Sequence, residues 1–305
     1  MQIGLITPPE DVGGKSLTQL IDWAIQAETD GFHSLWFVQV PVVGNDVLTT
    51  IAVLGQHTQR IMLGTGVTPT YPRHPLVMAQ QALTVQAACN GRLHLGLGLS
   101  HRPVIEDLMG LSYEKPAQHM KEYLSVVGPL INGEGVNHQG ENYRVQGSMS
   151  VAGAKPCPVL VAALGPRLLK LAGELSAGTV TWMVGINTIR NHIVPTITQA
   201  SAQFAKTPRV VASLPVVVTD DSRSVRAQID SALEMYGQLD SYRRMLDREG
   251  AATPSGVSLV GTETEVAEQL AAFADAGVTE FVASIPNFGK DTYARTYEFL
   301  KVLLT

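Results

Sequence analysis

Apolar positions along this chain alternate between two rhythms. Short runs that are apolar or alternate apolar with polar occupy residues 2–7, 34–38, 60–65, 93–99, 158–163, 178–183, 210–218 and 279–285, and each reads as a strand. Between them, apolar residues recur at helical spacing. Leu17, Leu20, Ile21, Ala24 and Ile25 form one stripe, opened by a Ser16/Gln19 capping box and stopped at Gly31. Leu76, Ala79, Leu83 and Ala87 place a helix over 75–88. Further helices are predicted over 46–56, 120–131, 166–174, 188–204, 222–236, 239–249 and 292–304, and a Thr262/Glu265 capping box opens one that ends before Gly277. Residues 132–151 break the rhythm: Gly133, Gly135 and Gly140 punctuate short runs that suggest a hairpin.

Strands alternating with helices make an α/β protein with a parallel sheet, and eight is the number that closes a barrel. An open doubly wound sheet has the same rhythm. The alternation shows no break into two domains, so the expectation is one (β/α)8 TIM barrel over 1–305 with a hairpin-like insertion between strands four and five.

The chain has 305 residues, 45% of them apolar, enough for a sizeable core. Its net charge of -5 and scattered Lys and Arg argue against a nucleic-acid surface, which needs a basic stripe. No apolar stretch approaches the roughly 20 residues that span a bilayer. MQIGLITPPE has no basic leader or small-residue cleavage site, so no signal peptide is expected. Cys89 and Cys157 make no framework and read as free thiols of a cytoplasmic protein. The histidines form no metal-ligand spacing, so no metal is expected.

In parallel α/β folds, ligands bind beyond the carboxyl ends of the strands. Three turns there draw notice. In Ala163-Leu164-Gly165-Pro166-Arg167 a strand runs into a helix whose first turn begins with proline, leaving the amides of Arg167 and Leu168 for an anion such as phosphate, or making a plain tight turn. Gly64-Thr65-Gly66-Val67-Thr68-Pro69 reads as a plain loop or a bulge. Gly96–Arg102 (GLGLSHR) lacks the third glycine of a dinucleotide fingerprint and is no nucleophile elbow; it is better read as a strand end where glycine leaves room for a flat ligand. His101, just beyond that strand, is the best acid/base candidate, whereas His94 lies within it and reads as structural. Trp36 and Trp182, near strand ends, read as core rather than as cofactor wall. Tyr71, Arg73 and His74 are held between Pro72 and Pro75 either over a pocket or as anchors of the next helix.

The segments GFHSLWF, RIMLGTGVTPTYPRHP, GRLHLGLGLSHR, LVAALGPRLLKLAGELSAG and LVGTETEVAEQLAAFADAGVTEFV resemble the bacterial luciferase-like family, and within it the oxidoreductases that use coenzyme F420, a 5-deazaflavin. The likeness runs through nearly the whole chain in order. It implies a barrel, usually homodimeric, with the deazaflavin or FMN at the carboxyl ends of the strands. It further implies that Gly66 and Val67 form a bulge, often a non-prolyl cis peptide, behind the cofactor ring. Thr68, Gly98, Ser100 and His101 would line cofactor and substrate, and Ala163, Leu164, Gly165, Pro166 and Arg167 the phosphate turn. Arg73, Arg102, Arg167 and Lys170 would make a basic rim for the anionic cofactor tail. One departure stands out: many relatives end strand two with Asp-His, and Gln39-Val40 stand there here. Gln39 hydrogen-bonds but does not titrate near neutral pH. Alcohol oxidation relying on a base there is therefore in doubt, and His101 or water would supply a proton. The leading expectation is an F420-dependent oxidoreductase acting on a small molecule, with Gln39, His101, Tyr71 or Trp182 facing it. The alternatives are an FMN-dependent monooxygenase and a non-catalytic flavin-binding protein.

Overall fold

Alternation within the strands sets the architecture. In LHLGLG, Leu93, Leu95 and Leu97 all pack outward into the shell beneath the helices, while His94, Gly96 and Gly98 face inward. The computed structural model describes residues 1–8 and 13–304, and in it eight such strands close a ring. They are β1 (Gln2–Ile6), β2 (Ser34–Phe37), β3 (Met62–Thr65), β4 (Leu93–Gly98), β5 (Val159–Ala162), β6 (Gly178–Trp182), β7 (Arg209–Val218) and β8 (Glu280–Ser284). Every neighbouring pair is parallel. Closure is made where Ile6 lies opposite Ser284 and Arg209 opposite Gly178. An open sheet would leave two free edges, so the TIM barrel expected from the rhythm is the fold.

Two apolar clusters follow from the alternation. The larger lies between barrel and helices. The smaller fills the barrel itself: Ile6, Trp36, Leu160, Val180, Val211 and Val282, with Val38, Val67 and Ala162 packed against it. Trp36 is fully buried there, and it fits because Gly64 faces it: a Cβ at Gly64 would sit 2.4 Å from the indole.

Both predicted capping boxes form, Ser16/Gln19 before Leu17–Thr29 and Thr262/Glu265 before Glu263–Asp275. The insertion is an antiparallel hairpin, Val136–Gln139 with Arg144–Gly147. Other features escaped the pattern. The helix expected over 188–204 carries a π turn at Ile189–Ile193. A second π turn, Val104–Leu108, follows β4. A short strand, Leu259–Gly261, pairs with the outer end of the ten-residue β7. No helix among the described residues is long and apolar enough to cross a membrane.

Candidate functional site

The ladder between β3 and β4 slips just where the glycines cluster. Gly64 lies opposite His94, yet Thr68 lies opposite Leu97, so four steps on one strand meet three on the other. The extra residue is a bulge. Its peptide Gly66–Val67 is cis. Thr65, fully buried, bridges the gap: its hydroxyl donates to the Gly96 carbonyl (2.7 Å) and accepts from the Gly96 amide (2.8 Å). The Gly66 amide donates to the Phe37 carbonyl on β2 at 2.8 Å. Val67 covers β4 at Gly98, where a Cβ would meet its Cγ2 at 2.4 Å and Ala162 of β5 at 3.5 Å. Val67, Gly98 and Ala162 thus form one continuous low surface across the barrel mouth.

That surface runs into the β5 turn. The helix Pro166–Leu175 starts with Gly165 as its cap residue and proline in its first turn, and no side chain caps it. Its first amides therefore lack the usual partner. A Cβ at Gly165 would meet nothing within 4 Å. The Leu164 carbonyl is held by His192 Nε2 at 2.8 Å, which ties the turn to the Ile189–Ile193 π turn. Arg167 is exposed and forms no ion pair among the described residues.

Ser100 and His101 follow β4. Ser100 has a φ of 59°, in the left-handed region, and its carbonyl accepts from the Tyr113 hydroxyl at 3.2 Å. The His101 ring is 5.8 Å from that of Tyr242, and burial pushes its imidazole below the usual histidine range. It is therefore neutral at pH 7, able to donate at one nitrogen and accept at the other. Tyr242, Tyr236 and Trp182 continue as edge-to-face rings, with centroids 5.3 and 6.0 Å apart. The Trp182 indole N–H and the Thr68 hydroxyl are buried without a hydrogen-bond partner.

Several sequence readings need correction here. The oxygen of the Gln39 side chain accepts from the Val47 amide at 3.1 Å, holding the start of helix Val47–His57, so its –NH2 and one lone pair of that oxygen are left for a ligand. The basic rim is largely neutralised: Arg73 pairs with Asp46, Arg102 with Glu106 at 2.6 Å and Lys170 with Glu174 at 3.7 Å. Arg73 and His74 serve as anchors, His74 Nδ1 accepting from the Leu76 amide at the start of Pro75–Ala88. Tyr71 does not stand free over the mouth; its ring stacks on His119 at 3.9 Å and on Tyr113 at 5.4 Å. Sequence reasoning passed over Tyr113 and Tyr242, since neither lies in a recognisable spacing, and it named Thr65 only as part of a turn, without its bonds to Gly96.

Comparison with known proteins follows the same lines. A 5,10-methylenetetrahydromethanopterin reductase of Methanolobus tindarius is 32% identical over 180 residues, 59% of this chain and 53% of that protein. An F420-dependent glucose-6-phosphate dehydrogenase of Nakamurella multipartita is 32% identical over 176 residues, 54% of this chain and 52% of the relative. The chain thus matches about half the length of each of these relatives. Among solved structures, the oxygenating constituent of 3,6-diketocamphane monooxygenase of Pseudomonas putida, in complex with FMN, superposes with a TM-score of 0.76 at 18% identity, covering 99% of this chain and 97% of that one. That likeness speaks to the fold. The family model of the luciferase-like monooxygenases matches residues 1–280, and the chain belongs to that family.

Proposed function

We propose that this protein is an oxidoreductase that moves a hydride between coenzyme F420 and a small organic substrate. The observation that carries this reading is the continuity of the bulge, Gly98 and the uncapped Pro166–Leu175 helix along one side of the mouth. A flat ring system against Val67 and a phosphate at a helix start are what such a surface accommodates. The F420-dependent glucose-6-phosphate dehydrogenase named above favours the deazaflavin over FMN.

The residues fit the group. Open space in front of Gly165 and the free first amides suit a phosphate, with Arg167 beside it. The orphaned Trp182 N–H marks a polar group that a ligand would satisfy. When bound, the deazaflavin supplies the hydride donor or acceptor. The chain supplies position: Gly66 and Val67 back the ring, and the aromatic rings of Trp182, Tyr236 and Tyr242 keep water from the opposite side. Neutral His101 holds or delivers a proton at its ring nitrogens, and the Gln39 amide donates a hydrogen bond.

The test is a fluorescence titration with F420 and with FMN, then turnover of the reduced cofactor against enones, nitroaromatics and quinone-like acceptors. F420 binding with saturable turnover is expected. Binding of neither cofactor by folded protein overturns the reading. FMN binding with substrate-dependent oxygen uptake replaces it with a monooxygenase, the activity of the FMN-bound neighbour. Binding without turnover leaves a carrier.

A further inference from the structure

Beneath the apolar layer of the barrel lies a buried polar one that the mouth chemistry does not use. Glu280 opens β8 and points inward, 1% exposed. One carboxylate oxygen accepts from the Ser34 hydroxyl and from the Trp36 indole N–H at 2.9 Å. The other accepts from Arg209 Nη2 at 2.6 Å. The same indole N–H also reaches Ser34 Oγ at 2.9 Å. The Arg209 guanidinium lies 3.3 Å from both nitrogens of His94. Burial first, then the charge of Arg209, pushes the His94 imidazole down to about 3, so it is a neutral platform. A cavity of about 290 Å³ at the amino-terminal mouth underlies this layer.

Trp36 joins the two layers. Its N–H is fixed by Glu280, and its ring meets the bulge from below beside Ile6: a Cβ on Gly66 would lie 2.9 Å from Ile6 Cδ1 and 3.7 Å from Trp36 Cε3. Val67 packs on the same interior cluster. The ring has no room to turn, because Gly64 closes on its face. We infer that Glu280 is a positioning residue for the cofactor wall, acting through Trp36 to set the height and orientation of the Gly66–Val67 bulge. The inference rests on the reading of that bulge as the wall behind the cofactor ring. A carboxylate fits this task because it accepts three donors at once and so ties the indole N–H to Ser34 and Arg209 in one network, fixing its position along the barrel while Gly64 fixes its face.

The experiment uses Trp36→Phe, which keeps an aromatic ring but removes the indole N–H together with part of the ring volume, and Glu280→Gln, which keeps the shape and the full indole and removes only the charge. First, the apo proteins are compared by two-dimensional NMR. The indole resonance missing from Trp36→Phe identifies Trp36, and it should move in Glu280→Gln. The Val67 amide and methyl resonances should move in both variants. Second, each protein is titrated with F420, and with FMN if F420 fails to bind. The cofactor Kd should rise about tenfold, the equivalent of one hydrogen bond to a charged group. KM for the organic substrate should stay within about twofold, and the bound cofactor's absorption band should shift. Unmoved Val67 resonances in folded Trp36→Phe overturn the inference, as does unchanged cofactor affinity with an unchanged band. Wild-type protein that binds neither cofactor removes the reading of the mouth, while the apo spectra still decide whether Glu280 sets the bulge. Should Glu280→Gln not fold, Glu280→Asp, which keeps the charge and shortens its reach to the indole, replaces it in both measurements.

Discussion

Glu122 offers a prediction whose size follows from the structure. This carboxylate, 3% exposed, sits on the helix Pro116–Ile131 and grips the tip of the hairpin insertion. It accepts from three successive amides, Glu141 at 3.1 Å, Asn142 at 2.8 Å and Tyr143 at 3.1 Å, and from the Gln118 side chain at 2.8 Å. Burial opposes its ionisation, but the Gln118 side chain and the three amides outweigh burial and lower its pKa from 4.5 to about 2. At 1.36 kcal/mol per unit, the ionised group stabilises the fold by about 3 kcal/mol. A depressed folded pKa means that this contribution is complete above the unfolded value near 4.5 and is lost as pH falls toward about 2. Glu122→Gln resembles the protonated acid, so it should lose about 3 kcal/mol at pH 7, and the gap from wild type should narrow to about 1.5 kcal/mol at pH 3. Urea unfolding of both proteins across this range, analysed at constant m, measures the gap. A gap below about 0.5 kcal/mol at pH 7, or one that does not change with pH, refutes the reasoning.

Thr65→Val removes the hydroxyl that satisfies both polar groups of Gly96 and should cost about 2–4 kcal/mol in urea unfolding, the penalty for two buried groups left unpaired. Arg167→Ala should weaken cofactor binding about two- to fivefold at low salt, with the difference shrinking as salt rises, since this side chain is exposed; titrations at two salt concentrations check this. His101→Gln should lower kcat by about a hundredfold or more if the imidazole handles a proton. Because burial lowers its pKa, wild-type activity should hold down through the ordinary histidine range near 6.5 and fall only below it, and this acid limb should vanish in the variant's pH profile.

What was legible in the sequence was whatever is periodic or local. The inward and outward faces of LHLGLG, the two capping boxes and the glycine-marked hairpin all rest on spacings within one element. Arg102–Glu106 and Lys170–Glu174 also lie four residues apart, so these pairs are readable in the sequence. Arg73–Asp46 was not readable, because those partners are brought together by two successive strand–helix units. Glu280 is hidden for a different reason. In Glu-Phe-Val-Ala-Ser the alternation marks it as sharing a face with Val282 and Ser284, but period alone cannot say that the face is the barrel interior or that Arg209, Ser34 and Trp36 converge there.

Glycine was the strongest sequence signal for a ligand, and the structure divides that signal in two. At Gly96 a Cβ would lie 2.0 Å from the Thr65 carbonyl oxygen, a backbone atom that cannot step aside. This glycine is explained by the protein alone, and Gly96→Ala should cost several kcal/mol or prevent folding. At Gly165 the φ is -81°, which any residue adopts, and an added Cβ meets nothing. Neither backbone geometry nor packing demands glycine there, and the space in front of it is open to the phosphate proposed above. Gly165→Ala should therefore change unfolding free energy by less than about 1 kcal/mol, the usual span for a cap residue. It should nevertheless raise the cofactor Kd, because the methyl group projects into the space where a phosphate would approach the free amides. Measured on one preparation, an unfolding curve and a titration separate the two roles. A Gly165→Ala protein as stable as wild type that binds the cofactor equally well would show that the turn carries no ligand.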